Sequence, residues 1–329
     1  MKILPYLLSG LVGGVVFVAT GVQAASPRRS LPAVSQTTPT TLLSPLQSLQ
    51  SALPTGRSLH TLQQQIEQLQ RRQYTSLQET GAFFLDLQTG NYLSVNGETV
   101  YPTASMIKVP ILMALFQAVE AGTVRLDERL VMTRDVMAGG SGNLRLQPQG
   151  SEFSVLETAT KMITISDNTA TNMIIKRLGG VKVLTQQFRQ WGLQQTTLNN
   201  YLPDIEGTNV STPQELVQIL ALLDQPRLLS PQSRAQILTI MQQVRDRRLL
   251  PSGLGRGAAI AHKTGDIGFI LGDTGIVQTP SGKRYLAAIL VKSKHAHPSA
   301  KDFIRQVSQM VYNYVVQGDP MAAKLPPRS

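Results

Sequence analysis

Two apolar strand patterns stand at opposite ends of this 329-residue chain, with a long helical stretch between them. "TGAFFLDLQTGNYLSVNGETVY" reads as two short strands around the turn signal Gln88-Thr89-Gly90-Asn91. After Gly257 come "AAIAHKTG", "FILGDTGIVQT" and "RYLAAILVKS", with the turn "PSGK" joining the last two. From roughly 105 to 250 the apolar period is helical, as in "VPILMALFQAVEAG", "SVLETATKMITI", "TATNMIIKRLGG" and "TPQELVQILALL". The last of these opens on Thr212, Pro213 and Glu215, the pattern of a capping box with proline at the first helical position. Two further helical patterns bracket the whole. Leu59, Leu62, Ile66 and Leu69 mark the first, and Phe303, Val307, Met310, Val311 and Val315 the last. The economical fold is α/β of the α+β kind. An antiparallel sheet is built from both ends of the chain and flanked by N- and C-terminal helices, with an all-helical subdomain inserted at about 105–255. No internal repeat is visible.

Hydrophobic residues make up 42% of the chain, enough for a sizeable core, and the net charge is +11, which favours anionic surfaces. Nucleic acid is not the expected partner. The basic residues are scattered, no base-stacking motif occurs, and aromatics are only 5%. Anionic wall polymers or a membrane surface fit better, because the N-terminus reads as an export signal. Residues 1–24 carry one Lys, a long apolar run and the Val22-Gln23-Ala24 cleavage pattern. The uncharged stretch from Ile3 to Pro27 is also long enough to serve as an uncleaved anchor. Either way the bulk of the protein is expected outside the cytoplasm, in the periplasm or cell envelope. Residues 25–57, rich in Ser, Thr, Pro, Leu and Gln, read as a disordered linker. The catalytic domain is expected at 58–320 and a tail at 321–329. The chain has no Cys, so neither a disulfide nor a Cys metal site is possible. His295 and His297 sit in a turn near Pro298, and His262 lies on the strand before Lys263; no metal and no cofactor is expected.

Three short motifs carry chemistry. In "YPTASMIKVP", Ser105 and Lys108 are three apart at a helix start, which puts both on one face. Serine is a poor nucleophile until a neighbour takes its proton, and a desolvated lysine near a helix N-terminus is disposed to be neutral and do so. In "TISDNTATN", Ser166 and Asn168 flank Asp167 between two helices, where both can point into one cleft. Ser, Asp and Asn are equally the residues of an ordinary helix cap. In "AHKTGDIG", Lys263, Thr264 and Gly265 end an apolar strand. They supply a charge, a hydroxyl and an open strand edge for a substrate backbone. Each motif alone is common by chance.

Together and in this order they form the combination known from class A β-lactamases and penicillin-binding proteins. The chain resembles that serine acyltransferase family from about Leu59 to Gly318, and "DNTATN", "STP" and "AHKTG" followed by "GDTGIV" resemble class A β-lactamases in particular. The resemblance implies a β-lactamase/transpeptidase-like fold and a set of roles. Ser105 would attack the carbonyl of a penicillin or a D-Ala-D-Ala peptide, and Lys108 would take its proton. Ser166 would pass a proton to the leaving nitrogen, tuned by Lys263. Asn168 would hold a substrate amide and Thr264 the substrate carboxylate, with Gly265 at the strand edge. The backbone N–H groups of Ser105 and Asp266 would form the oxyanion hole. An arginine commonly assists with the carboxylate, and Arg248 or its neighbour Arg247 is the candidate.

The family's deacylation loop is also recognisable in "NNYLPDIEGTNVSTP", but Leu202 stands where the family carries the Glu that activates the hydrolytic water. The loop is shorter than usual, and its Arg–Asp pair is replaced by Asn200 and Asn209, which cannot form a salt bridge. Leu202 cannot accept a proton. Losing a general base slows a step by about 10²–10⁴-fold. The expectation is therefore a penicillin-binding D,D-peptidase of the D-alanyl-D-alanine carboxypeptidase type. It would act on peptidoglycan stem peptides ending in D-Ala-D-Ala and hold β-lactam antibiotics as long-lived covalent inhibitors. Alternatives are a class A β-lactamase using Glu206 as a displaced base, and a non-enzymatic penicillin sensor.

Overall fold

The computed structural model describes residues 56–294 and 298–318. The export signal, most of the linker, the tail, and His295 and His297 lie outside the described residues.

The five strands of the main sheet follow the order β2-β1-β9-β8-β7, every neighbouring pair antiparallel. Strands β1 (Leu77–Asp86) and β2 (Tyr92–Val95) form the N-terminal hairpin. Strands β7 (Ala259–Asp266), β8 (Ile270–Gln278) and β9 (Arg284–Ser293) form the C-terminal meander. The two ends meet where β1 pairs with β9, Phe83 opposite Ala288. At 10 residues β1 is longer than the short strand its sequence suggested.

The near-continuous apolar run of β9 has a simple cause: the sheet is buried on both faces. Leu286, Ala288 and Leu290 pack with Phe83 and Leu85 toward the helical part of the chain. Ala287, Ile289 and Val291 pack with Ala82 and Phe84 on the opposite face. That second face is covered by α1 (His60–Gln73), through Leu62 and Ile66, and by α8 (Pro298–Gln317), through Phe303, Ile304, Val307 and Val311.

The helical part centres on α2 (Lys108–Glu120), in which every residue from Lys108 to Phe116 is buried. A helix apolar all round must lie inside, and α2 does so. Around it stand α3 (Val155–Thr164), α4 (Asn168–Arg177), α5 (Val181–Gln190), α6 (Pro213–Asp224) and α7 (Pro231–Gln242). Two small pairings were not foreseen: β3 (Tyr101–Pro102) with β6 (Val210–Ser211), and β4 (Arg129–Val131) with β5 (Glu152–Ser154).

The Thr212 cap forms as expected, its hydroxyl accepting from Glu215 N at 3.0 Å. The reciprocal half of the capping box does not. The Glu215 carboxylate instead accepts the backbone N–H groups of Gln194, Gln195 and Thr196 and the Thr196 hydroxyl, pinning the segment after α5.

Candidate active site

Ser105 lies in a one-turn 3-10 segment, Ala104–Ile107, that leads into α2. Ala104, just before it, has φ +47°, a left-handed conformation uncommon for a residue with a side chain. Ser166, between α3 and α4, has φ +56°. This twist turns the Ser166 carbonyl as well as its hydroxyl toward Lys108, whose Nζ donates to them at 2.8 and 3.0 Å. A third donation runs from Lys108 Nζ to Asn168 Oδ1 at 2.9 Å.

The Ser166 hydroxyl in turn donates to Ser105 Oγ at 2.9 Å. No hydrogen bond joins Lys108 directly to Ser105 among the described residues. The Ser166 oxygen thus touches both Lys108 and Ser105.

Lys108 is completely buried. Burial, assisted by the nearby Lys263 charge, pushes its ammonium well below the usual lysine range, while the Asp167 carboxylate acts in the opposite sense. Lys263, also buried, is pushed down to about 8 by burial, against the opposing pull of Asp273 and Asp246. Its Nζ donates to Thr264 O at 2.8 Å.

Asp167 takes the capping role. One carboxylate oxygen accepts from Ala170 N at 2.9 Å; the other accepts from Asn143 N at 2.7 Å and Leu144 N at 2.8 Å. Gly142 closes over that carboxylate so tightly that a Cβ there would lie 2.2 Å from Asp167 Oδ2. The cap thus holds Ser166 and Asn168 on either side in place. Asn168 reaches the catalytic lysine through Oδ1, and its Nδ2 donates one hydrogen to Gly139 O at 2.9 Å, which leaves the second amide hydrogen to face a ligand.

Strand β7 forms the opposite wall. A Cβ on Gly265 would lie 2.7 Å from Thr103 O and 3.2 Å from Ser105 N, so only glycine lets this strand lie against the nucleophile's backbone. Asp266 faces Leu271 in register, and Ile267 N donates to Ile270 O. Hydrogen-bonded pairs alternate along an antiparallel ladder, so the Asp266 N–H points off the free edge of β7, not toward β8. This is the direction an oxyanion donor beside Ser105 N requires. Behind the strand, His262 Nδ1 lies 3.0 Å from Asp273 Oδ1, both side chains fully buried.

A cavity of about 360 Å³ opens over Ser105, Ser166, Lys263, Thr264 and Asp266. Arg248 lines it, but its guanidinium is bound in a bidentate pair with Asp246, at 2.8 and 2.9 Å. Arg245 lines the same cavity, its guanidinium has no hydrogen-bond or ionic partner among the described residues, and it is the better-placed cation. Arg245 stands in the same "VRDRR" run as Arg247 and Arg248, and only the fold singles it out.

Leu202 is buried in the core cluster that also holds α2. Its backbone is clamped by Asn172, which accepts from Leu202 N at 2.8 Å and donates to Leu202 O at 2.7 Å. Asn172 is four residues after Asn168 on α4, so Leu202 sits one helical turn beyond the contact of Lys108. That spacing, visible in "DNTATN", could have revealed Asn172. Asn209 closes the loop without charge: its Oδ1 accepts Asn199 N and Asn200 N, and its Nδ2 donates to Asn200 O. Glu206 lies exposed in the turn between Asp204 and Gly207 and does not line the Ser105 cavity.

The chain is similar to several known proteins. The solved structure of PBP-A is 50% identical, with a TM-score of 0.78 over 80% of this chain and 99% of that one. A leucine-to-glutamate mutant of PBP-A, solved as its acyl-enzyme with penicillin G, matches equally well, at 50% identity and TM-score 0.78 over 80% of this chain and 100% of that one. The extended-spectrum β-lactamase PER-1 of Pseudomonas aeruginosa is 26% identical over 243 residues, covering 68% of this chain and 78% of the relative. The model of the beta-lactamase enzyme family matches residues 61–315, and the chain belongs to that family.

Proposed function

We propose that this protein is an exported, penicillin-binding D,D-peptidase of the D-alanyl-D-alanine carboxypeptidase type. It acts on peptidoglycan stem peptides ending in D-Ala-D-Ala. The peptide's terminal carboxylate meets Thr264 and Arg245, and its scissile carbonyl lies between Ser105 N and Asp266 N. The Ser105 proton moves through Ser166 Oγ to the Lys108 amine, whose charged form burial disfavours. The same route in reverse protonates the departing D-Ala nitrogen. Once D-Ala has left, water enters its place and is deprotonated along that route, which returns free Ser105.

Penicillin behaves differently because its leaving nitrogen stays tethered in the ring fragment and blocks this side. Water must then be activated from the side of Leu202. The single observation that carries the reading is the burial of Leu202 in the apolar core, clamped by Asn172, where a hydrolytic base would be needed. The penicillin G acyl-enzyme of the PBP-A mutant supports covalent β-lactam capture on this scaffold. The exposed, turn-bound position of Glu206 disfavours its use as a displaced base. Release of D-Ala from a D-Ala-D-Ala peptide, lost in Ser105→Ala, tests the peptidase; no release from the wild-type protein would refute it.

A further inference from the structure

The cleft does not end at the substrate carboxylate. A second cavity, of about 390 Å³, adjoins the first and shares Thr164, Ile165 and Arg245 with it. Its other walls include Glu157, Lys161 and Gln243. Glu157 and Lys161 are four apart on α3, yet among the described residues no salt bridge joins them and neither Lys161 nor Arg245 has an ionic partner. Two cations thus face one anion around a space large enough for a side chain. On the proposed reading Ser166 serves the leaving nitrogen and Arg245 the carboxylate beside it, and the second cavity meets the first at Ile165 and Arg245, which places it next to the leaving amine.

Resting on the proposed peptidase reading, we infer that this second cavity is a subsite for an anionic side chain on the amine that leaves the acyl group or attacks it. The amine's α-carboxylate occupies Thr264 and Arg245, as D-Ala does, and its acidic side chain reaches Lys161. With the α-carboxylate held by Thr264 and Arg245, Lys161 is the cation left to meet the side chain, since among the described residues no salt bridge ties it to Glu157. The chemistry balances as follows. The amine nitrogen attacks the ester carbonyl on Ser105, a C–N bond forms, and the bond from that carbon to Ser105 Oγ breaks. The proton shed by the nitrogen passes through Ser166 to restore the Ser105 hydroxyl. The protein is then a transferase to acidic amino acceptors as well as a hydrolase.

The test uses the full chain, a D-Ala-D-Ala donor peptide, and D-glutamate, D-norleucine or D-lysine as acceptor at equal concentration, with the transfer product counted by mass spectrometry. Transfer to D-glutamate is expected to exceed transfer to D-lysine about tenfold. Lys161→Glu is expected to reverse that order, while Lys161→Arg keeps it. D-Ala release in water should be the same in all three proteins, because the contacts from residue 161 to Ile165 N and Asp167 N use its backbone oxygen. Equal transfer to the three acceptors, or an order untouched by Lys161→Glu, overturns the subsite and leaves the peptidase standing. Absence of D-Ala release overturns both.

Discussion

The Ser166 hydroxyl donates a 2.9 Å hydrogen bond to the Ser105 hydroxyl. Lys108 Nζ lies 3.0 Å from the other side of that oxygen and, among the described residues, makes no direct hydrogen bond to Ser105. Removing the relay should therefore cost as much as removing the base. Ser166→Ala is expected to slow penicillin acylation by about 10²–10⁴-fold, comparable with Lys108→Ala. Stopped-flow acylation rates check this. A Ser166→Ala variant that acylates at the wild-type rate would show that Lys108 contacts Ser105 directly.

Lys263 gives the reaction a pH limit. With its ammonium pushed down to about 8 by burial, acylation should decline as pH rises through that value and the charge is lost. Loss of that charge also removes one of the influences that hold the Lys108 ammonium below the usual lysine range. Lys263→Gln should abolish the alkaline decline and move the acidic limb, where Lys108 gains its proton, to higher pH. The pH profile of the second-order acylation constant reads both.

The same residue bears on stability. In the unfolded chain a lysine keeps its proton to about 10.4. Between about 8 and that value the unfolded state binds more protons than the folded one, so folding grows more favourable as pH rises. Below 8 the full cost of burying the charge remains. Lys263→Met should raise Tm at pH 7, with a smaller gain at pH 10, while acylation falls; thermal unfolding at the two pH values measures it.

Arg245 and Arg248 should separate cleanly. Arg245→Ala removes the free guanidinium and is expected to weaken capture of a carboxylate-bearing substrate about tenfold or more, seen in KM and not in kcat. Arg248→Ala breaks a pair with Asp246 whose arginine side chain is 61% exposed, and should change KM less than threefold. Steady-state peptidase kinetics decide between them.

Much of this was legible beforehand because its signals are local. The strands of the sheet announce themselves as continuous apolar runs, and burial on both faces explains why β9 lacks polar alternation. The three motifs are contiguous, so each carries its geometry with it. What stayed hidden depends on contacts between distant segments. Glu215 looked like a capping-box partner, but its carboxylate is claimed by N–H groups of the segment after α5. The bond from Asn168 to Gly139 O, which orients its amide, likewise joins segments far apart in the sequence. Arg245, Arg247 and Arg248 lie in an irregular segment with no period to say which faces the cleft. Leu202 was recognised by its neighbours in sequence, whereas the Asn172 clamp that fixes it appears only in three dimensions.

Leu202 is packed in the core, so truncation to Ala should cost about 2–5 kcal/mol of stability, measured by denaturant unfolding. Leu202→Glu should also lower Tm, because it buries a carboxylate without a counter-charge. It should nevertheless hasten hydrolysis of the penicilloyl ester by supplying the missing base beside Asn172.

The lifetime of the penicilloyl group on Ser105 tests the central claim most directly. The purified protein is labelled with fluorescent penicillin, chased with excess unlabelled drug, and followed over time beside Leu202→Glu. The account predicts that the wild-type label persists for many minutes and that the glutamate variant sheds it faster. Wild-type turnover within seconds would contradict it.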